Sequence, residues 1–87
     1  MKLLRITAMW CPSCLVMRKV WKKLEEACPN LDITDYDYDL DENIVKEYEV
    51  GLTLPVLIKT QNGQEVGRII GEKTVNQLIE FIESSNK

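Results

Sequence analysis

Hydrophobic and polar residues follow one another with different periods in different segments of the chain. Residues 2–8 (KLLRITA) are mostly apolar, which is typical of a strand covered on both faces. Residues 31–38 (LDITDYDY) alternate with period two, which predicts a strand with one buried face. The first half of the chain therefore contributes two predicted strands.

A hairpin is predicted in the second half. Residues 55–60 (PVLIKT) form one arm and residues 65–70 (EVGRII) the other. Between them lies Asn62-Gly63, a strong signal for a two-residue turn in which both residues have positive φ.

Apolar residues with helical spacing predict three helices. Pro12 opens the first, since proline suits the first helical position, and Pro29 ends it. Asp39 begins a short second helix that ends near Gly51, and Thr74 begins the last helix as the first residue of a capping box. The element order is therefore β-α-β-α-β-β-α, an α/β arrangement.

Composition narrows the chemistry. The 87 residues suit one domain spanning 1–87, with three Cys, no His and a formal net charge of −3. The absence of His excludes a His base or His metal ligand, and three Cys cannot complete a four-Cys zinc site, so no metal site is expected. The acidic balance favours neither a nucleic-acid partner nor a membrane surface.

The first ten residues contain Lys2 and Arg5 and lack the apolar core of a signal peptide. Apolar runs are far shorter than the ~20 residues that span a bilayer. We therefore expect a cytoplasmic protein. In the reducing cytoplasm, a close Cys pair is more often catalytic or metal-binding than structural.

Residues 10–14 (WCPSC) place two cysteines where a strand gives way to a helix. A helix N-terminus favours the thiolate of Cys11, and Cys14 lies close enough to form a disulfide with it. We expect an exposed, nucleophilic Cys11 and a more covered Cys14 that resolves a mixed disulfide. A structural disulfide and two unrelated core thiols are the alternatives.

With residues 53–55 (TLP) before the hairpin and Gly71 before the last helix, the chain resembles the thioredoxin and glutaredoxin superfamily. The resemblance covers residues 2 to about 83 and implies a thioredoxin-like fold, a four-stranded mixed sheet flanked by three helices. It implies thiol–disulfide oxidoreductase activity with Cys11 attacking and Cys14 resolving. Beyond this redox-active disulfide, no cofactor is expected.

The same resemblance implies a substrate groove beside the cysteines. Pro55 would be a cis-proline next to the sulfur pair, while Thr53 and Leu54 would offer backbone groups to an extended substrate. Trp10 would shield the pair and line this groove. The remaining candidate substrate-binding residues are Pro12, Ser13 and Gly71.

The resemblance leaves the electron donor open between a reductase and glutathione. Glutaredoxins use paired glycines before the last helix to bind glutathione, whereas residues 70–74 (IGEKT) contain only Gly71. Disulfide-containing proteins are therefore the favoured substrates of a protein that we expect to be monomeric.

Thioredoxins also place a buried acid beneath the sulfur pair and a Lys on the neighbouring strand. Counting back from the motif puts Arg5 at the position of the acid. Counting back from Tyr48, which resembles the family's aromatic residue before the cis-proline segment, puts Asp35 at that of the Lys. The two charges would thus be exchanged, with Arg5 and Asp35 as modulators of the cysteines; the alternative is that Arg5 reaches solvent and Asp35 faces water.

Two other functions compete. Residues 9–14 (MWCPSC) match the M-x-C-x-x-C motif of small copper chaperones, whose thiolates bind Cu(I), although their element order is β-α-β-β-α-β. A redox-inactive interaction module of the same fold is the other alternative, which the presence of both Cys disfavours.

Overall fold

The central feature of the fold is a four-stranded sheet with strand order β2-β1-β3-β4. The computed structural model describes residues 1–84. The strands are β1 (Lys2–Thr7), β2 (Ile33–Asp37), β3 (Val56–Gln61) and β4 (Gln64–Ile70). β1 pairs parallel with β2 and antiparallel with β3, and β3 pairs antiparallel with β4, so the sheet is mixed as predicted.

The helices connect these strands and cover both faces of the sheet. They are α1 (Pro12–Val16), α2 (Arg18–Ala27), α3 (Glu42–Glu47) and α4 (Val75–Glu83). The first predicted helix is thus divided in two, with Met17 as the link in right-handed helical conformation (φ −75°, ψ −10°). Otherwise the elements follow one another in the predicted order.

Alternation along β1 divides the core between the two faces of the sheet. Leu3 packs with side chains of α2 and α4, while Leu4 and Ile6 pack with the two cysteines and with Val45 of α3. Successive side chains of a strand point to opposite faces, so a strand buried on both sides shows a continuous apolar run. The central position of β1 explains the composition of residues 2–8.

The local sequence signals for the hairpin turn and for the start of α4 are confirmed. Asn62 (φ 53°) and Gly63 (φ 81°) form the two-residue turn between β3 and β4. The hydroxyl of Thr74 accepts from the amide of Gln77, and the Gln77 side chain accepts from the amide of Thr74, as a capping box requires.

The predicted start of α3 is wrong. Asp41, not Asp39, is the N-cap, and its carboxylate accepts a hydrogen bond from the amide of Asp37 instead of capping the helix. The Asp37 carboxylate in turn accepts from the amide of Asp39, which builds a turn between β2 and α3. Several Asp residues in residues 35–41 could each cap a helix. The side-chain hydrogen bonds of the turn place Asp41 at the N-cap position.

No helix among residues 1–84 is long and apolar enough to span a bilayer. The predicted domain 1–87 includes residues 85–87, which lie outside the described residues.

Candidate active site

The two cysteines of residues 10–14 lie at the N-terminus of α1, directly after β1. Cys11 is the N-cap and Pro12 occupies the first helical turn. The amide of Cys14 donates to Cys11 Sγ over 3.2 Å, and both cysteines are free thiols. The Cys14 amide thus points at Cys11 Sγ, where it can stabilise negative charge that develops on this sulfur during a reaction.

The expected difference in exposure between the two thiols is wrong. Cys11 is 5% and Cys14 is 7% exposed, so both are buried. Cys11 is covered because the segment before β3 packs over it, and its thiol donates to the Leu54 carbonyl over 3.6 Å. This cover comes from a residue 43 positions away, which the local motif does not reveal.

Electrostatics nevertheless distinguish Cys14. Burial raises the pKa of Cys14 from 9.0 to about 11, and the hydrogen bond with Cys11 adds to the rise. A hydrogen bond from Ala8 acts in the opposite direction. Cys14 is therefore a protonated thiol at neutral pH in the reduced protein, which suits a second, resolving thiol.

The segment before β3 completes the site. The Leu54–Pro55 peptide bond is cis, as the resemblance implied. Leu54 and Pro55 are buried and Thr53 is exposed. The Pro55 carbonyl accepts from the amide of Gly71 over 2.8 Å, and Gly71 has φ +86°, a conformation that favours glycine.

Trp10 lies at the rim of the site, where it is 50% exposed. Its indole Nε1 donates to Asp39 Oδ2 over 2.8 Å, and its ring meets the edge of Tyr38 at 5.8 Å between centroids. Asp39 fixes the orientation of Trp10, a role that the sequence analysis did not assign.

Ser13 makes a second contact that sequence reasoning missed. Its hydroxyl donates to Glu72 Oε2 over 2.8 Å, which links α1 to the loop before α4. Pro12 beside it is exposed. Glu72 thus joins the candidate site directly after Gly71.

Large exposed apolar side chains concentrate in the segments that build the site. Besides Trp10, these side chains are Met9, Leu15, Val16, Leu52 and Ile70. Such concentration marks a surface for a partner or substrate more often than chance exposure does.

Arg5 and Asp35 form the exchanged ion pair beneath the site. They face each other across the β1–β2 register, and two hydrogen bonds join them, Nε–Oδ1 at 2.5 Å and Nη2–Oδ2 at 3.0 Å. The Arg5 side chain is 13% exposed, so it does not reach out to solvent, whereas that of Asp35 is 61% exposed. The alternative for Arg5 is therefore wrong.

Two further groups surround the Arg5 guanidinium. It lies 5.1 Å from the centre of the Trp21 ring, and Nη1 is 3.7 Å from a carboxylate oxygen of Glu25. Arg5 and Cys14 line the same cleft, whose volume is about 620 Å³. The groups beneath Cys14 are thus a buried cation and its carboxylate, in a cleft open to water.

Among residues 1–84, no group of three or more Cys, Asp or Glu has the arrangement of a metal site.

The site combines a pair of cysteines at a helix N-terminus with a cis-proline just before a strand of a four-stranded mixed sheet. This combination defines the class of thioredoxin-fold proteins. The sequence profile of the family described as Thioredoxin matches residues 1–84. This chain belongs to the thioredoxin family, which is a family of thiol–disulfide oxidoreductases.

Individual relatives agree with this assignment. The chain is 32% identical over 75 residues to a thioredoxin of Chlamydia trachomatis, which covers 86% of this chain and 72% of that protein. It is 36% identical over 64 residues to mitochondrial thioredoxin-3 of Saccharomyces cerevisiae, with 74% of this chain and 50% of that protein covered.

Solved structures give the same fold. The oxidised form of the yeast mitochondrial protein has a TM-score of 0.81 at 31% identity and covers 93% of this chain and 74% of that one. Thioredoxin-2 of a malaria parasite has a TM-score of 0.83 at 24% identity, with 93% and 79% covered, and supports the fold alone.

Asp35→Asn should destabilise the protein by about 1–2 kcal/mol, because the buried Arg5 loses its charged partner while the exposure of Asp35 limits the cost. Asp32→Asn is the matched control, since Asp32 is exposed on the same segment. Urea unfolding measures both variants. Equal free energies of unfolding for the two variants would mean that the ion pair contributes nothing.

The reduced protein should lose stability between pH 9 and pH 11. The pKa of Cys14 is raised in the folded state, so the contribution is complete below pH 9 and disappears as pH rises towards 11. Two pKa units correspond to about 2–3 kcal/mol. The free energy of unfolding in urea should therefore fall more steeply over this pH range for the reduced wild type than for Cys14→Ser. Parallel pH profiles of the two proteins would contradict this prediction.

Proposed function

We propose that this protein reduces or exchanges disulfides in protein substrates through the Cys11–Cys14 pair. The observation that carries the proposal is the amide hydrogen bond from Cys14 to Cys11 Sγ at the start of α1, because this bond stabilises negative charge that develops on the Cys11 sulfur. The protonated state of Cys14 supports the same division of roles.

The reaction follows from this geometry. The Cys11 thiolate attacks one sulfur of a substrate disulfide, forms a mixed disulfide and releases the other substrate sulfur as a thiolate. Cys14 then loses its proton and attacks Cys11 Sγ, which forms the Cys11–Cys14 disulfide and releases the second substrate thiolate. The substrate gains two electrons and the protein loses two.

The proton of Cys14 passes to water in the cleft beneath it. Arg5 remains protonated and has no acceptor, so it cannot take a proton from the thiol. Both carboxylate oxygens of Asp35 accept hydrogen bonds from Arg5, which directs this carboxylate at the guanidinium rather than at the thiol. The cleft that Cys14 shares with Arg5 supplies the access that water needs.

The substrate groove lies between Trp10 and the segment of Thr53, Leu54 and Pro55. The exposed apolar side chains around it support an extended polypeptide as substrate, with backbone groups of Thr53 and Leu54 pairing as in strand addition. Pro12, Ser13 and Gly71 border the same groove.

The electron donor is proposed to be a reductase rather than glutathione, since the loop before α4 carries the single Gly71 where glutaredoxins have paired glycines. We further propose that the protein is a cytoplasmic monomer that uses no cofactor besides its own disulfide. The Cu(I)-chaperone alternative gains no support, because α4 follows the β3–β4 hairpin in place of a last strand.

Cys14→Ser should trap a mixed disulfide with a protein substrate, because the resolving thiol is absent while Cys11 still attacks. Cys11→Ser should trap almost none. Non-reducing electrophoresis of each variant with oxidised insulin, followed by mass spectrometry of the adduct, identifies the sulfur involved. An adduct through Cys14 would refute the assignment of Cys11 as nucleophile.

A further inference from the structure

Glu72 holds a fixed position at the rim of the proposed active site. Its carboxylate accepts the hydrogen bond from Ser13, one of the two residues between the cysteines. The preceding residue, Gly71, is tied by its amide to the Pro55 carbonyl. The two attachments hold the loop before α4 against α1 and against the segment beside the cysteines.

Among the described residues, no charged side chain is paired with the Glu72 carboxylate. Ser13, which donates to this carboxylate, is a neutral group. Lys19, Lys23 and Lys73 line a neighbouring cleft with Glu72, but no ion pair within 4 Å joins Glu72 to any of them in the part of the chain that the structure describes.

A second carboxylate lies near the other end of the motif. Asp39 is held by the indole of Trp10, the residue before Cys11. Residues 10–14 thus bind one carboxylate through Trp10 and another through Ser13. A substrate whose sulfur reaches Cys11 brings its own neighbouring charges close to these two carboxylates.

We propose that Glu72 is a specificity-determining residue that favours disulfides flanked by positive charges and disfavours those flanked by negative charges. The inference rests on the proposed disulfide exchange and names its preferred substrate class. Glu72 is exposed, so its influence is limited to about the Debye length, about 8 Å at physiological salt. Only charges next to the reacting sulfur are therefore selected.

The test uses three small disulfides of similar size and different charge. They are cystamine with two ammonium groups, 2-hydroxyethyl disulfide with none, and 3,3′-dithiodipropionate with two carboxylates. The full chain is kept reduced by a phosphine, and kcat/KM is measured for each disulfide at low and high salt. The quantity of interest is the ratio of kcat/KM for cystamine to that for the dicarboxylate, corrected for the direct reaction with the phosphine.

Glu72→Gln keeps an oxygen that accepts from Ser13 and removes only the charge. Its cystamine-to-dicarboxylate ratio should fall about fivefold at low salt, and less at high salt, for unit charges about 8 Å apart in water. Glu72→Lys should lower the ratio further, because the sign of the charge is reversed.

Glu83→Gln is the matched control. Glu83 is exposed at the opposite end of α4. Its substitution by Gln changes the net charge by the same amount as Glu72→Gln. Its ratio should equal that of the wild type. An unchanged ratio in both Glu72 variants, or the same change in Glu83→Gln, would overturn the inference while leaving the proposed function intact. Failure of the wild type to reduce any of the three disulfides would instead overturn the proposed function, and the inference with it.

Discussion

The pairing of β1 with a strand on each side fixes the relative positions of the groups in the site. Its hydrogen bonds to β2 and β3 are protected by apolar side chains on both faces. Cys11 follows the end of β1, and Leu54 precedes β3, whose first residue Val56 pairs with Ile6. The antiparallel register therefore brings the Leu54 carbonyl to the Cys11 sulfur, although the two residues lie 43 positions apart.

The same strand explains why a cation can lie beneath the dithiol. Arg5 on β1 is directly opposite Asp35 on β2, which allows a two-bond guanidinium–carboxylate contact. Burying a lone charge is costly, but a paired and hydrogen-bonded one is tolerated. The ring of Trp21 and the carboxylate of Glu25 further favour the cation. The protein thus pairs a cation on β1 with a carboxylate on β2 at this place in the sheet.

Local sequence signals predicted the framework of the fold. The Asn62-Gly63 turn, the Thr74 capping box and Pro12 at the start of α1 each depend on residues only a few positions apart. Arg5 and Asp35 lie 30 positions apart, and their pairing was expected from the family resemblance, which aligns them with an acid and a Lys on neighbouring strands. The cis bond at Pro55 was expected from the same resemblance and from the position of Pro55 at the start of a strand.

The contacts of the site that the sequence did not predict share one property. Side-chain hydrogen bonds between distant loops, such as Ser13 with Glu72 and Trp10 with Asp39, leave no period or spacing in the sequence. Closely spaced Asp residues also gave several equivalent caps for α3, and Asp39 was assigned to the helix instead of the indole. The burial of Cys11 escaped prediction for the same reason, because its cover belongs to another segment.

The hydrogen bonds of Cys11 link the loss of its proton to the availability of a hydrogen-bond acceptor in the proposed substrate groove. In the reduced thiol form, Cys11 Sγ donates to the Leu54 carbonyl. A thiolate has no proton to donate, so ionisation removes this bond and places two electron-rich atoms next to each other. The amide of Cys14 stabilises the sulfur that becomes negative, while the Leu54 carbonyl is left without its donor. In the proposed reaction, a backbone N–H of an extended substrate supplies the missing donor, so the ionisation of Cys11 also frees the acceptor that holds the substrate beside it.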